Sequence, residues 1–294
     1  MKLGTVYPQI ELNGDPEAFR RIGLATEALG YDHFLIYDHV LGAVHEGRDP
    51  PLFGPYNEKT PFHEPMVALG YLAALTRKIE LVTGIVILPQ RQTALVAKQA
   101  AELDILSGGR LTLGVGTGWN YVEYEALGED FKTRGRKLDE QIPYLRRLWS
   151  EDVVSHQGRF DRVDRAGILP RPKRQIPIWC GGFIEAAYRR AARLADGFIF
   201  AMGFEDSNLE AWDRVRDLLR EEGRPVDGFG ANFILQNWQG DLPHYDQIVD
   251  RLRRLQDVGA THASIVSMGR GFTETDQHLD FFAEVKQRAG AVLV

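Results

Sequence analysis

Residues 79–115 read IELVTGIVILPQRQTALVAKQAAELDILSGGRLTLGV and hold one full period of the chain's plan. An apolar run, Ile79–Thr83, gives way to a helical pattern with Val96, Ala100 and Leu103 on one face. Ser107-Gly108-Gly109 closes the helix begun near Gln92, and a second apolar run, Leu111–Val115, follows at once. Strand, helix and strand in this order predict a parallel βαβ unit, because parallel neighbours need a crossover of this length. The first run stays apolar as far as Pro89, beyond an ordinary barrel strand. Gly84 inside it predicts a bulge or a close backbone approach.

The same alternation extends in both directions. Further strand candidates are Leu3–Tyr7, His33–Ile36, Ile176–Trp179, Gly197–Phe200, Gly230–Leu235 and His262–Val266. Helical spacing joins Ile22, Ala25 and Leu29, then Leu138, Ile142, Leu145 and Leu148, then Ile248, Leu252, Leu255 and Val258. A last helix runs through Leu279, Phe282 and Val285. Asp15-Pro16-Glu17 reads as an N-cap with proline in the first turn, and Gly30 follows that helix. Eight such strands predict an α/β fold with a parallel sheet buried on both faces, closed as a (β/α)8 TIM barrel spanning residues 1–294 as a single domain. An open doubly wound sheet is the alternative. The excess over a minimal barrel lies in the loops that follow strands: Tyr37 to His63, Gly118 to Arg134, and Ser155 to Pro177. Long ordered loops at those positions are where a barrel builds its active site.

The 294 residues are 44% hydrophobic and 26% charged, which suits a folded globular chain rather than a disordered one. The 35 Lys+Arg and 41 Asp+Glu give a net charge of −6, arguing against nucleic acid or an anionic membrane as partner. No apolar stretch approaches the ~20 residues of a membrane span. The N-terminal apolar run stops at Pro8, too short for a signal peptide, so a cytoplasmic setting is expected. Cys180, the one cysteine, excludes an intramolecular disulfide and reads as a buried small residue.

Three motifs carry chemistry. Tyr37-Asp38-His39 ends the second strand, where an imidazole is placed to exchange a proton near neutral pH; a histidine that merely ties the loop is the plainer reading. Gly114-Val115-Gly116-Thr117-Gly118-Trp119 lets backbone approach a ligand, but Trp119 replaces the last glycine of a dinucleotide fingerprint. Ile178-Trp179-Cys180-Gly181-Gly182-Phe183 leads into a helix and forms an anion site or a close helix–strand packing. His45, His63 and Glu64 lie near one another in sequence, yet the first strand lacks the His-x-His pair of barrel metal hydrolases, so no metal site is expected.

Taken together, these segments resemble the luciferase-like monooxygenase superfamily, the bacterial-luciferase type. The resemblance runs through Glu27-Ala28-Leu29-Gly30-Tyr31-Asp32 to Asp38-His39-Val40, Thr83–Pro89, Lys98–Arg110, Leu113–Trp119, Arg134–Glu140, and Pro177–Gly182 with Ala187–Gly197. Gly-Val-Gly-Thr-Gly-Trp followed by Glu123-Tyr124-Glu125-Ala126-Leu127-Gly128 looks most like the branch that uses coenzyme F-420, an 8-hydroxy-5-deazaflavin.

The resemblance implies a barrel with a flavin or deazaflavin at the C-terminal ends of its strands. A non-proline cis peptide is implied at Gly84–Ile85 or Ile85–Val86, beneath the cofactor ring. It places Gly116, Thr117 and Gly118, with Gly181, Gly182 and Phe183, around the cofactor phosphate, and Asp38 and His39 beside the reactive ring. Two departures matter. Flavin-using luciferases carry arginine where Thr117 stands, which tilts the cofactor toward F-420 over FMN. Sugar-phosphate dehydrogenases of the F-420 branch carry a catalytic glutamate where Trp119 stands, with Glu123 and Glu125 close by. The expected function is hydride transfer between the deazaflavin and a small organic substrate. An FMN-dependent monooxygenase and a non-catalytic flavin- or deazaflavin-binding barrel are the alternatives. The loop Leu41–Phe62, with Phe53, Tyr56 and Phe62, is expected to wall the substrate site, and a homodimer is implied.

Overall fold

The computed structural model describes residues 1–202, 205–236 and 245–290. Its strands are β1 (Lys2–Val6), β2 (His33–Ile36), β3 (Glu80–Thr83), the two-residue β4 (Val86–Ile87) and β5 (Leu111–Gly116). The short β6 (Val154–Gln157) and β7 (Arg162–Ala166) follow, then β8 (Ile178–Gly181), β9 (Gly197–Phe200), β10 (Gly230–Leu235) and β11 (His262–Val266). The helices are α1 (Pro16–Ala28), α2 (Pro65–Leu75), α3 (Thr93–Ser107), α4 (Tyr121–Ala126) and α5 (Arg134–Ser150). They continue as α6 (Glu185–Leu194), α7 (Glu205–Glu221), α8 (Tyr245–Asp257) and α9 (Thr275–Ala289).

Parallel pairing runs β1–β2–β3–β5–β8–β9–β10–β11 and returns from β11 to β1, so the sheet closes into an eight-stranded barrel and the open-sheet alternative falls. Each of the eight barrel strands lies at its expected position to within two residues. Local chemistry explains the helix ends. The Asp15 carboxylate accepts the Glu17 N–H at 3.0 Å with Pro16 next in line. Gly108 ends α3 at φ 75°, a left-handed cap suited to a residue without Cβ. Leu138, Ile142, Leu145 and Leu148 are all buried along α5, as their spacing predicts.

Alternation along the strands separates two cores. Val6, Leu35, Val82, Trp179, Ile199, Ile234 and Val266 cluster inside the barrel. The larger cluster, including Leu3, Phe34, Leu81 and Ile178, packs the outer strand faces against the helices. The Ser155–Pro177 stretch, read only as a long insertion, contains the antiparallel β6–β7 hairpin outside the barrel. One carboxylate anchors it: Glu140 accepts the N–H groups of Arg159, Phe160 and Asp161. Among the described residues no helix is long and apolar enough to cross a membrane.

Candidate active site

The C-terminal end of the barrel is floored by a bulge. β3 stops at Thr83, the Gly84–Ile85 peptide is cis, and the chain resumes pairing at Val86, which is buried opposite Val115 of β5. The first of the two positions named from sequence is thus the cis one. Three glycines make room for the bulge. A Cβ on Gly84 would lie 2.3 Å from Leu35, one on Gly116 2.7 Å from Ile85, and one on Gly181 2.9 Å from Ile85. Tyr37, Ile85, Ala201 and Met268 pack on the inner cluster and form an apolar platform there.

The flanking turns are built from backbone. Gly118 adopts φ 61° against Ile87. The Thr117 carbonyl accepts the Tyr124 hydroxyl at 2.7 Å. Gly182 lies where a Cβ would meet Ala187 at 2.7 Å, and Phe183, 61% exposed, precedes α6, whose N-terminus has no side-chain cap. Flat apolar floor, glycine turns and an uncapped helix start together fit a planar ring with an anionic tail.

His39 lies at this same end of the barrel, three residues past the end of β2. Its Nδ1–H donates to Oε2 of Glu123 at 3.0 Å. The other oxygen of Glu123 accepts the N–H groups of Val40 at 2.7 Å and Leu41 at 3.0 Å. Burial works against ionising Glu123, but these donors outweigh it and hold the carboxyl below its ordinary range. A carboxylate can only accept, so the proton between the pair sits on Nδ1, and Nε2 is left for a substrate. Sequence had marked Glu123 only as a nearby acid. Its partner lies 84 residues away, and the only local hint is its place in the first turn of α4, after the Asn120 cap.

Asp38, expected beside the reactive ring with His39, has partners of its own. Its side chain is fully buried, with Oδ2 accepting the Ile87 N–H at 2.9 Å and Oδ1 paired with Arg91 at 2.8 Å. Burial pushes its carboxyl up, opposed by Arg91 and the Ile87 N–H. Both oxygens are taken, one of them by the backbone of β4 just past the bulge, and the acid facing His39 is Glu123. Arg91 also binds Glu64 at 2.9 Å, and no sequence signal had singled it out.

The two inserted loops lock around His39. Phe62, Tyr56 and Trp119 stand edge-on to the imidazole with centroids at 4.8, 5.4 and 5.4 Å. Asn120 donates to the Leu41 carbonyl, Tyr121 to that of Pro50, and His45 to that of Tyr56. Tyr56 and Phe62 of the Leu41–Phe62 loop thus pack around His39, whereas Phe53 is exposed. Cys180 is buried and its thiol is pushed up to about 12 by burial. Among the described residues no group of three His, Cys, Asp or Glu is placed to hold a metal ion.

Known proteins share this architecture. An F-420-dependent secondary alcohol dehydrogenase, solved with an F-420–acetone adduct, superposes with a TM-score of 0.78 at 16% identity, covering 98% of each chain. An uncharacterised protein of Mycobacterium tuberculosis is 35% identical over 241 residues, 81% of this chain and 80% of its own. An F-420-dependent glucose-6-phosphate dehydrogenase of Nakamurella multipartita is 31% identical over 220 residues, 72% of this chain and 60% of its own. The model of luciferase-like monooxygenases matches residues 3–236, from β1 through β10 and therefore across the bulge, the glycine turns and the His39 loop. With the closed barrel and these matches together, the chain belongs to the luciferase-like monooxygenase family.

Proposed function

We propose that this luciferase-like oxidoreductase binds coenzyme F-420 on the Ile85 platform and transfers a hydride to or from a small organic substrate, with His39 handling the proton. The observation that carries the reading is the imidazole fixed at Nδ1 by buried, ionised Glu123, at the same end of the barrel as the bulge whose Ile85 side chain is seated against Gly116 and Gly181. When bound, the deazaflavin supplies a ring carbon that accepts or gives up hydride. His39 Nε2 takes the hydroxyl proton of an alcohol as its C–H hydride leaves and the carbonyl forms; in reduction it returns that proton to the carbonyl oxygen. Glu123 stabilises the imidazolium formed in between. Gly116, Thr117, Gly118, Gly181, Gly182 and Phe183 hold the anionic tail, Gly84, Ile85 and Val86 support the ring, and Thr117, in place of arginine, favours F-420 over FMN.

Titrating the protein with F-420 and with FMN, followed by deazaflavin fluorescence and flavin absorbance, tests this. Saturable F-420 binding is expected, and FMN binding without F-420 binding overturns the assignment. The partner proposed is a second copy of the chain on the α2–α3 face. α2 carries no charged residue, and Val67, Tyr71, Leu95 and Leu106 are exposed on these two packed helices.

A further inference from the structure

Trp119 sits where the two inserted loops meet. Its indole is edge-on to His39 and to His45, with centroids 5.4 and 6.0 Å away. Gly54 lies so close that an added Cβ would stand 2.3 Å from the indole ring. Tyr56 and Phe62 cover other sides of the imidazole and pack on one another at 4.9 Å. Phe53, next to Gly54, is 81% exposed. The reactive edge of His39 is therefore set in a collar of three aromatic rings. Neighbours already hold these rings, so little freedom is lost when a ligand arrives.

The charges around the collar point the same way. Glu123, beneath it, is a buried carboxylate, and Arg91 is held between Asp38 and Glu64. A phosphate brought beside His39 would shed water while facing a negative charge, a costly exchange. An uncharged ring sheds little hydration and gains edge and face contacts with the collar.

We propose that Trp119 determines specificity, and that the substrate is an uncharged molecule with a planar or cyclic apolar body bearing one hydroxyl or carbonyl, not a sugar phosphate. The turnover part rests on the His39 chemistry proposed above; the binding part does not. Calorimetric titration with 1-indanone and with glucose 6-phosphate, with and without saturating F-420, tests it. Expected are saturable binding of 1-indanone, no heat from glucose 6-phosphate, and affinity about tenfold weaker in Trp119→Ala. Trp119→Phe, which keeps an aromatic ring and guards against misfolding, stays within about threefold of wild type. In turnover of 1-indanol, Trp119→Ala raises KM about tenfold and changes kcat less than about threefold. Absence of 1-indanone binding, unchanged affinity in Trp119→Ala, or tighter binding of glucose 6-phosphate each overturns the proposal. Trp119-dependent binding of 1-indanone without hydride transfer to F-420 or FMN sinks the functional reading and leaves the collar assignment standing.

Discussion

Each end of the barrel sets a histidine beside a glutamate, and the two pairs are built to opposite ends. At the C-terminal end, Glu123 binds one nitrogen of His39 and the other nitrogen faces an aromatic collar. At the N-terminal end, His262 Nδ1 contacts the Thr261 hydroxyl at 2.8 Å while Nε2 lies 3.5 Å from Glu80, which also pairs with Lys2. Behind it, His33 Nε2–H donates to Ser264 at 2.7 Å, and Ser264 donates to Asn232 at 3.0 Å. Gly4 leaves the room that the His33 ring fills. A cavity of about 320 Å³ opens at this end, lined by Lys2, Glu80, Trp179 and His262 among others. Barrel enzymes do their chemistry at the other face. Both imidazoles below are held by a hydroxyl within the barrel's polar lower core, whereas His39 is held by a carboxylate and ringed by aromatic side chains. His39 and His262 each have a glutamate partner and differ in their surroundings.

Substitutions at the two ends should part company accordingly. The largest effect is expected from His39→Ala, which should lower kcat about 10²–10⁴-fold, while His262→Ala leaves kcat within about twofold. Steady-state turnover of both variants checks this, and a comparable loss in His262→Ala would erase the distinction. Next comes Glu123→Gln, which removes the charge that fixes Nδ1–H. A fall of about 10–100-fold in kcat/KM with a displaced pH profile is expected, and an unchanged profile would reduce Glu123 to a loop tie. Gly116→Val drives a side chain into Ile85 and should weaken F-420 binding by more than about tenfold, read by fluorescence titration, with a Tm lower by a few degrees.

The smallest effect is a pH dependence confined to the lower end. Burial resists the charge on Glu80, but His262 and Lys2 win and lower its pKa to about 2. Burial likewise lowers His33 to about 3. Glu80 adds stability that is fully present above about pH 4.3 and is lost as pH falls toward 2. His33, neutral when folded, adds stability present above about pH 6.5 and lost as pH falls toward 3. Glu80→Gln should flatten the fall in urea-unfolding free energy between pH 4.5 and 2 by roughly 2 kcal/mol, since part of the pair is solvent-screened. Equal slopes in the two proteins would show that Glu80 does not carry the acid sensitivity.

Periodicity made the strands and helices legible because each is decided within a few residues. Asp15-Pro16 started α1 and Gly108 stopped α3 as their local chemistry required. The Gly84 bulge was also visible, since glycine weakens a strand interior and sits there chiefly where the backbone bends or is closely approached. What stayed hidden depends on contacts between distant segments. Asp38 and His39 are neighbours in sequence but point to different partners, Arg91 and Glu123, and nothing local separates them. The β6–β7 hairpin was missed because its residues are mostly exposed and polar, so no apolar alternation marks it.

Arg91 fastens Asp38, at the entry of the loop after β2, to Glu64, at its exit and at the start of α2. In polymer terms this clamp pins both ends of a long excursion, so the chain between them is a tethered loop hung on a fixed frame. Doubling such a loop costs only about 0.6 kcal/mol in closure entropy. Descendants of this gene are therefore free to lengthen or shorten the largely exposed stretch at residues 46–49 without moving the bulge, whereas Leu41, Tyr56 and Phe62 are bound into the surroundings of the imidazole. One guanidinium thus separates the length of the loop from the placing of the bulge.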